Sequence, residues 1–339
     1  MSRRRIVVLG FLGSLLLLGA LLSVVGIARI RAALATADRR LFAVVAAFAL
    51  AQVFCWGLAL RTVLGTLGVR VTRRLSFLLY GAATFSNNVT PFGQAGGEPV
   101  TALVIDRSTG SSYETGLAAI ATVDALHVVT SLTVAVAGVF GVALTVAWNR
   151  QLRTVSLAAL ALAAVAALVG VALRRYSEGL WVALDRAVVG IADRTGAVLP
   201  WVPPDLGRRA SEALSRFAGE LGRIAGDRRV LAVALAFSGL GWLAKVGALS
   251  VALLSVDAPV PLATLLLIVP AAKVAGFAPL PGGFGSIESA LVALLVATTP
   301  VGAAAATAAV LVHRAGTYWL PLVVGGAATA LLEATEEGA

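Results

Sequence analysis

The chain has 339 residues, 59% of them hydrophobic and only 13% charged. Soluble domains are about half apolar and about a quarter charged, so a water-soluble globular protein is excluded and an integral membrane protein is implied. A net charge of +10 would suggest nucleic acid on a soluble protein, but these arginines cluster between apolar segments, where they serve anionic headgroups and orientation. The single cysteine, Cys55, excludes an intrachain disulfide, and the two histidines, His127 and His313, form no zinc signature. No metal and no cofactor are expected.

In chain order, Met1-Ser2-Arg3-Arg4-Arg5 precedes an apolar run without a small-residue cleavage site, which reads as a retained span. Full spans are predicted at 6–28, 41–60, 116–147, 154–173, 230–254 and 302–330. Two further apolar segments, 75–105 and 261–298, are broken in the middle. The first break, Asn87 to Glu98, reads N-N-V-T-P-F-G-Q-A-G-G-E; the second, Pro279 to Glu288, reads P-L-P-G-G-F-G-S-I-E. Hydrocarbon tolerates irregular backbone only where it is packed in protein or lines a wet cavity. Each segment is therefore expected to be re-entrant, two half-helices joined at the break.

The breaks align. Pro91-x-Gly93-x4-Glu98 matches Pro281-x-Gly283-x4-Glu288 at an offset of 190, and the same offset sets Asp124 opposite Arg314. The order span, span, break, span then occurs twice, giving halves 1–150 and 151–339. Three crossings per half invert the second relative to the first. The expected fold is an all-α polytopic membrane bundle of about six spans plus two re-entrant broken helices, arranged as an inverted repeat. Transporters built this way hold substrate near the midplane between the halves.

Between the spans, residues 174–229 form the one sizeable insert. Leu214, Phe217, Leu221 and Ile224 share a helical face, with Arg208, Arg209, Glu212 and Arg216 elsewhere; Trp181, Leu184, Val188 and Ile191 recur at helical spacing, with Trp201 after them. This is an amphipathic piece on the membrane surface or a solvated hairpin. With both termini cytoplasmic in a plasma-membrane protein, segments 1–5, 61–74, 106–115 and 174–229 carry 18 arginines and the outer loops 29–40 and 148–153 carry 6. The sign fits the positive-inside rule, although 10 of the 18 lie in the long insert, which weighs little.

The two lysines, Lys245 and Lys273, both fall in membrane segments, as do Glu98, Asp124, Glu288 and Arg314. A charge at mid-membrane costs about 2.5–3.5 kcal/mol even on insertion scales, so such residues pair, snorkel or function. They can neutralise one another as ion pairs, or line a polar cavity in which Lys273 and Arg314 meet an anionic group and Glu98, Asp124 and Glu288 balance them or exchange protons. The breaks favour the cavity. Gly282, Gly283 and Gly285 followed by Ser286 as N-cap, and Gly96 and Gly97 followed by Glu98 and Pro99, would aim helix N-termini inward. Asn87 and Asn88 can line the same space. Tyr318 and Trp319, one turn after Arg314, read as stacking or interface aromatics, with Tyr318 counted at the site. Pro321 is expected to kink the last span.

The first break with Arg107, the second break, and the later H-R-A-G-T-Y-W-L-P together resemble the lysylphosphatidylglycerol flippase-like family, which includes the membrane part of bacterial lysylphosphatidylglycerol synthases. The resemblance covers nearly the whole chain. It implies a lipid translocase for an aminoacylated phospholipid or a polyprenyl-phosphate-linked headgroup, and it points to Glu98, Arg107, Gly283, Glu288 and Arg314. It also implies membrane lipids, and a separate synthase or glycosyltransferase, as partners. Many relatives have Glu-Arg where this chain has Ala121-Thr122 before Asp124, so headgroup choice can differ. The alternatives are a membrane-embedded enzyme and an accessory subunit; no nucleophile–base pair, metal set or nucleotide motif marks an enzyme.

Overall fold

The structure is a computed structural model, and the residues it describes are 3–90, 94–145, 148–198, 206–278 and 280–337. Helices dominate, and no strand occurs among the described residues. Among the described residues six stretches are long and apolar enough to cross a membrane: Arg40–Thr66, Tyr113–Thr145, Arg150–Leu173, Arg228–Leu254, Pro281–Thr298 and Ala303–Leu332.

The first predicted span is helical but ends before residue 28. Helix α1 (Arg3–Val25) stops at Gly26, where the chain bends by 82° into α2 (Ile27–Ala35). Gly26 has φ +94°, a backbone conformation that a side chain disfavours, so the bend falls on the residue able to make it. Residues predicted as the outer loop 29–40 are thus partly helical.

Helices α3 (Arg40–Thr66), α6 (Tyr113–Thr145) and α9 (Arg228–Leu254) follow the predicted spans. At about 1.5 Å per residue each exceeds the ~30 Å hydrocarbon core. Helix α7 (Arg150–Val198) departs from expectation by running unbroken for 49 residues, so the span at 154–173 and the first part of the insert are one rod. Helix α8 (Leu206–Gly226) returns along it, with Trp181 edge-on to Phe217 at 6.2 Å and Ser211 hydrogen-bonded to Asp185. Ile224 is buried while Arg208, Arg209, Glu212 and Arg216 are exposed, as the helical pattern predicts. Trp201 lies outside the described residues.

The two broken segments are hairpins. The first is α4 (Arg73–Val89) with α5 (Gln94–Thr109); the second is α10 (Leu262–Lys273), two 3-10 turns (Val274–Phe277 and Pro281–Gly283) and α11 (Ser286–Thr298). These arms are about 18–26 Å long by the helical rise, too short to cross alone. The stretch Pro281–Thr298 is long enough only when its opening turn is counted. The last span is α12 (Ala303–Arg314), a π-helical turn (Ala315–Trp319) and α13 (Leu320–Glu337). Its irregularity precedes Pro321, because proline offers no N–H to the carbonyl of Thr317 one turn back.

Helix α3 lies along α9 at the centre, α6 along α10, and α13 along α4. Glycines allow the last two approaches. A Cβ on Gly138 of α6 would sit 2.6 Å from the Leu267 amide nitrogen, and one on Gly325 of α13 would strike the Gly81 carbonyl. At one end of the bundle the Asp38 N–H donates to the Ser255 carbonyl at 2.9 Å, and Leu34, Val256, Ala258 and Val301 share a core cluster. At the other end residues 68–71 and 108–111 line one cavity, and Arg216 of α8 pairs with Glu114 at 2.7 Å. The first hairpin therefore enters from the end that carries α8, and the second from the opposite end.

Candidate functional site

The two hairpins meet at their tips. Asn88, in the last turn of α4, packs on Gly282, where a Cβ would lie 2.6 Å from the Asn88 Oδ1 and from the Tyr318 ring. The turn that makes this possible runs through three left-handed glycines, Gly282 (φ +56°), Gly283 (φ +66°) and Gly285 (φ +85°), after a buried Pro281. Asn87 lies against Gly97 of α5, and its Oδ1 is buried without a hydrogen-bond partner among the described residues. Pro91 lies outside the described residues, as does Gly93.

Two expectations about the half-helix starts are corrected. Helix α5 begins at Gln94, so Gly96, Gly97 and Glu98 lie within its opening turns and Pro99 is inside the helix rather than in its first turn. In α11 the N-cap is Gly285, not Ser286. The Ser286 hydroxyl instead donates to the carbonyls of Ala275 and Gly283 at 2.8 and 3.0 Å, clamping the turn. The cap is completed from within by Glu288, whose Oε2 accepts from the Gly285 N–H at 2.7 Å.

Glu288 has a second role. Its Oε1 accepts from Arg314 Nε at 2.7 Å, and the pair is almost wholly buried, 1% and 5% exposed. Arg314 in turn lies 4.6 Å from the Tyr318 ring centroid, and Tyr318 stacks on Phe284 at 5.4 Å. The guanidinium is thereby held between α11 and the π turn. Its Nη2 is buried and unpartnered among the described residues.

The other charges converge on the same region from α5, α6, α9 and α10. The carboxyl groups of Glu98 and Asp124 face each other where α5 packs on α6. Asp124 is also 3.5 Å from His127 Nδ1, yet neither of its oxygens makes a hydrogen bond of good geometry among the described residues. Lys273 lies within electrostatic reach of Asp124 and Arg314, and Lys245 within reach of Lys273 and Arg314. No ion-pair partner lies within 4.0 Å of either lysine among the described residues. Both are half-buried, keeping part of their surface accessible. Among the described residues of this region, the pairing reading between strong acids and bases holds for Glu288 and Arg314. The Glu98 and Asp124 carboxyl groups and the two lysine amines have no oppositely charged Lys, Arg, Asp or Glu partner within 4.0 Å among the described residues, an arrangement that membrane-buried groups sustain by losing their charge or by contact with water or a ligand.

Sequence reasoning missed an aromatic box. The Lys245 ammonium is 5.9 Å from the Trp56 ring and 5.5 Å from Trp242. Trp56 packs against His127 with ring centroids 4.4 Å apart and planes tilted by 33°, and Tyr80 Oη is 3.4 Å from His127 Nδ1. The indole N–H groups are satisfied, Trp56 donating to the Ser238 carbonyl at 3.1 Å and Trp242 to the His127 carbonyl at 3.0 Å. Lys245 does not snorkel; it sits against rings. Trp242 to Lys245 and Asp124 to His127 are both i,i+3 neighbours, a spacing that could have flagged half of this box. Trp56 gives no such signal.

One candidate is not brought in. Arg107 is exposed in the last turn of α5, at the end of the first hairpin remote from its tip. Among the described residues no group of three or more His, Cys, Asp or Glu could hold a metal ion.

Known proteins share this sequence pattern. Two curated relatives, both named UPF0104 membrane protein and both from Methanothermobacter thermautotrophicus, align with most of the chain. One is 26% identical over 324 residues, covering 92% of this chain and 91% of the relative. The other is 27% identical over 268 residues, covering 74% and 72%. Residues 7–325 match the family described as the lysylphosphatidylglycerol synthase TM region, and the chain belongs to that family.

Proposed function

We propose that this protein moves a phosphate-bearing lipid between leaflets, with the headgroup passing through the charged region where the hairpins meet and the chains remaining in the bilayer. The observation that carries the reading is that neither Lys245 nor Lys273 has a carboxylate within 4.0 Å among the described residues, although Glu98 and Asp124 occupy the same region, beside a buried Glu288–Arg314 pair. Lys273, Lys245 and the free Nη2 of Arg314 are the donors for a phosphate; Asn87 and Asn88 add neutral contacts at the hairpin tips. Glu98 and Asp124 balance the cations and are the groups that would take up or release a proton.

The packing supports an inverted repeat. If α3, α4 and α6 of the first half correspond to α9, α10 and α12–α13 of the second, the exchange carries α3–α9 into itself and α6–α10 into α13–α4. Hairpins entering from opposite ends give each side of the membrane an equivalent route to the centre. The halves 1–150 and 151–339, the plasma membrane and cytoplasmic termini complete the proposal.

The test is translocation of a fluorescent phospholipid in proteoliposomes. Removing one charge-assisted hydrogen bond costs about 1.5–3 kcal/mol, so Lys273→Gln should slow transfer about 10- to 100-fold. Wild-type rates from a folded Lys273→Gln, Lys245→Gln double variant would remove the headgroup route. A chemically altered lipid, found by mass spectrometry, would move the protein to the enzyme reading.

A further inference from the structure

At the end of the bundle that carries α8, residues Gly68, Val69, Arg70, Val71 and Leu75 face Ser108, Thr109, Gly110 and Ser111 across a cavity of about 390 Å³. Small-ligand clefts span about 300–1,000 Å³. None of these residues belongs to the charged centre. The cavity joins the loop between α3 and α4 to the loop between α5 and α6, and α3 is long enough to place it at the membrane–water interface.

Its chemistry is that of an anion receptor. Arg61, Arg70, Arg73, Arg74 and Arg107 lie in segments 61–75 and 105–112, which contain Asp106 as their one carboxylate. Arg70 lines the cavity itself, and Arg61 is anchored at its edge, where Nε donates to the Val71 carbonyl at 2.9 Å. The chain from Val69 to Thr72 is neither helix nor strand, and the Arg70 and Val71 N–H groups donate to no backbone carbonyl among the described residues. Ser108 Oγ is buried with no hydrogen-bond partner among the described residues, although it lies in a polar wall. The Arg70 guanidinium in the lining, with the Arg70 and Val71 amides and the Ser108 hydroxyl beside it unpaired among the described residues, matches the acceptor oxygens of a phosphate.

We propose that this cavity binds a phosphate oxyanion at the membrane surface, the phosphodiester of an anionic phospholipid or free inorganic phosphate. It gives Arg107 a setting, on the helix turn that leads into Ser108, which the charged centre does not. The inference stands independently of translocation, since occupancy here requires no transport.

Hydrogen exchange read on peptides covering 67–75 and 105–112 tests it, with the full chain in lipid nanodiscs. In discs of equal parts phosphatidylcholine and phosphatidylglycerol, the Arg70 and Val71 amides should exchange about tenfold more slowly than in phosphatidylcholine alone, which corresponds to about 1.4 kcal/mol. Arg70→Gln should abolish the difference, Ser108→Ala should reduce it, and Lys273→Gln should leave it intact. Protection by inorganic phosphate in phosphatidylcholine discs assigns the soluble source; protection by phosphatidylglycerol without it assigns the lipid. Equal exchange under all three conditions overturns the site, as does full protection retained in a normally melting Arg70→Gln variant.

Discussion

Glu288 shows how one side chain in hydrocarbon satisfies two demands. One oxygen closes the N-terminus of α11 through Gly285, and the other neutralises Arg314. Truncating one partner of a buried pair leaves the other uncompensated and costs about 3–5 kcal/mol. Arg314→Leu should therefore destabilise by that amount in detergent unfolding. Adding Glu288→Gln should recover part of the loss, because the amide is neutral and its oxygen can still accept from Gly285. If the two changes are additive, the pair is not coupled. Both residues were legible in the sequence as intramembrane charges. The pairing was not, since 26 positions separate them and helical periodicity says nothing about which helices will touch.

Helix packing decides how close the hairpins come. Gly138→Ala forces α6 off α10, and Gly325→Ala forces α13 off α4, because backbone atoms rather than flexible side chains occupy the space. Each should cost about 1–3 kcal/mol by overpacking. Gly170→Ala on α7, where nothing lies within 4 Å, should be neutral or stabilising by up to about 1 kcal/mol. Equal melting temperatures for all three variants would contradict the close approaches. The sequence marked the hairpins by their Pro and Gly breaks. It could not show that α7 continues past residue 173, because an amphipathic stretch following an apolar one reads equally well as two helices or one. The Gly26 bend was hidden inside an apolar run in the same way.

For the whole molecule, the proposed inverted repeat has the two hairpins, whose open ends lie at opposite ends of the bundle, reached from opposite sides of the membrane. The single native cysteine, Cys55, makes this directly measurable. In a Cys55→Ser background, Arg73→Cys at the mouth of the first hairpin and Pro259→Cys at that of the second should react with a membrane-impermeant maleimide from opposite sides. Position 73 should label from the cytoplasm, as the arginine bias directs. Labelling of both from one side would end the inverted arrangement and the transport route built on it.

The sequence alone determined the class of protein, because composition fixes which solvent a chain can fold in. It also fixed where the backbone must be irregular, since proline and glycine act locally, and which charges had to lie in the membrane. Only the tertiary structure decided that Glu98, Asp124, Lys245, Lys273, Glu288 and Arg314, carried on six helices, share one region, that Trp56 and His127 wall it, and that Arg107 lies apart. Such contacts join residues far apart in the chain. A hydrophobic pattern shows which face of a helix is apolar and leaves its neighbour to the packing of all the others.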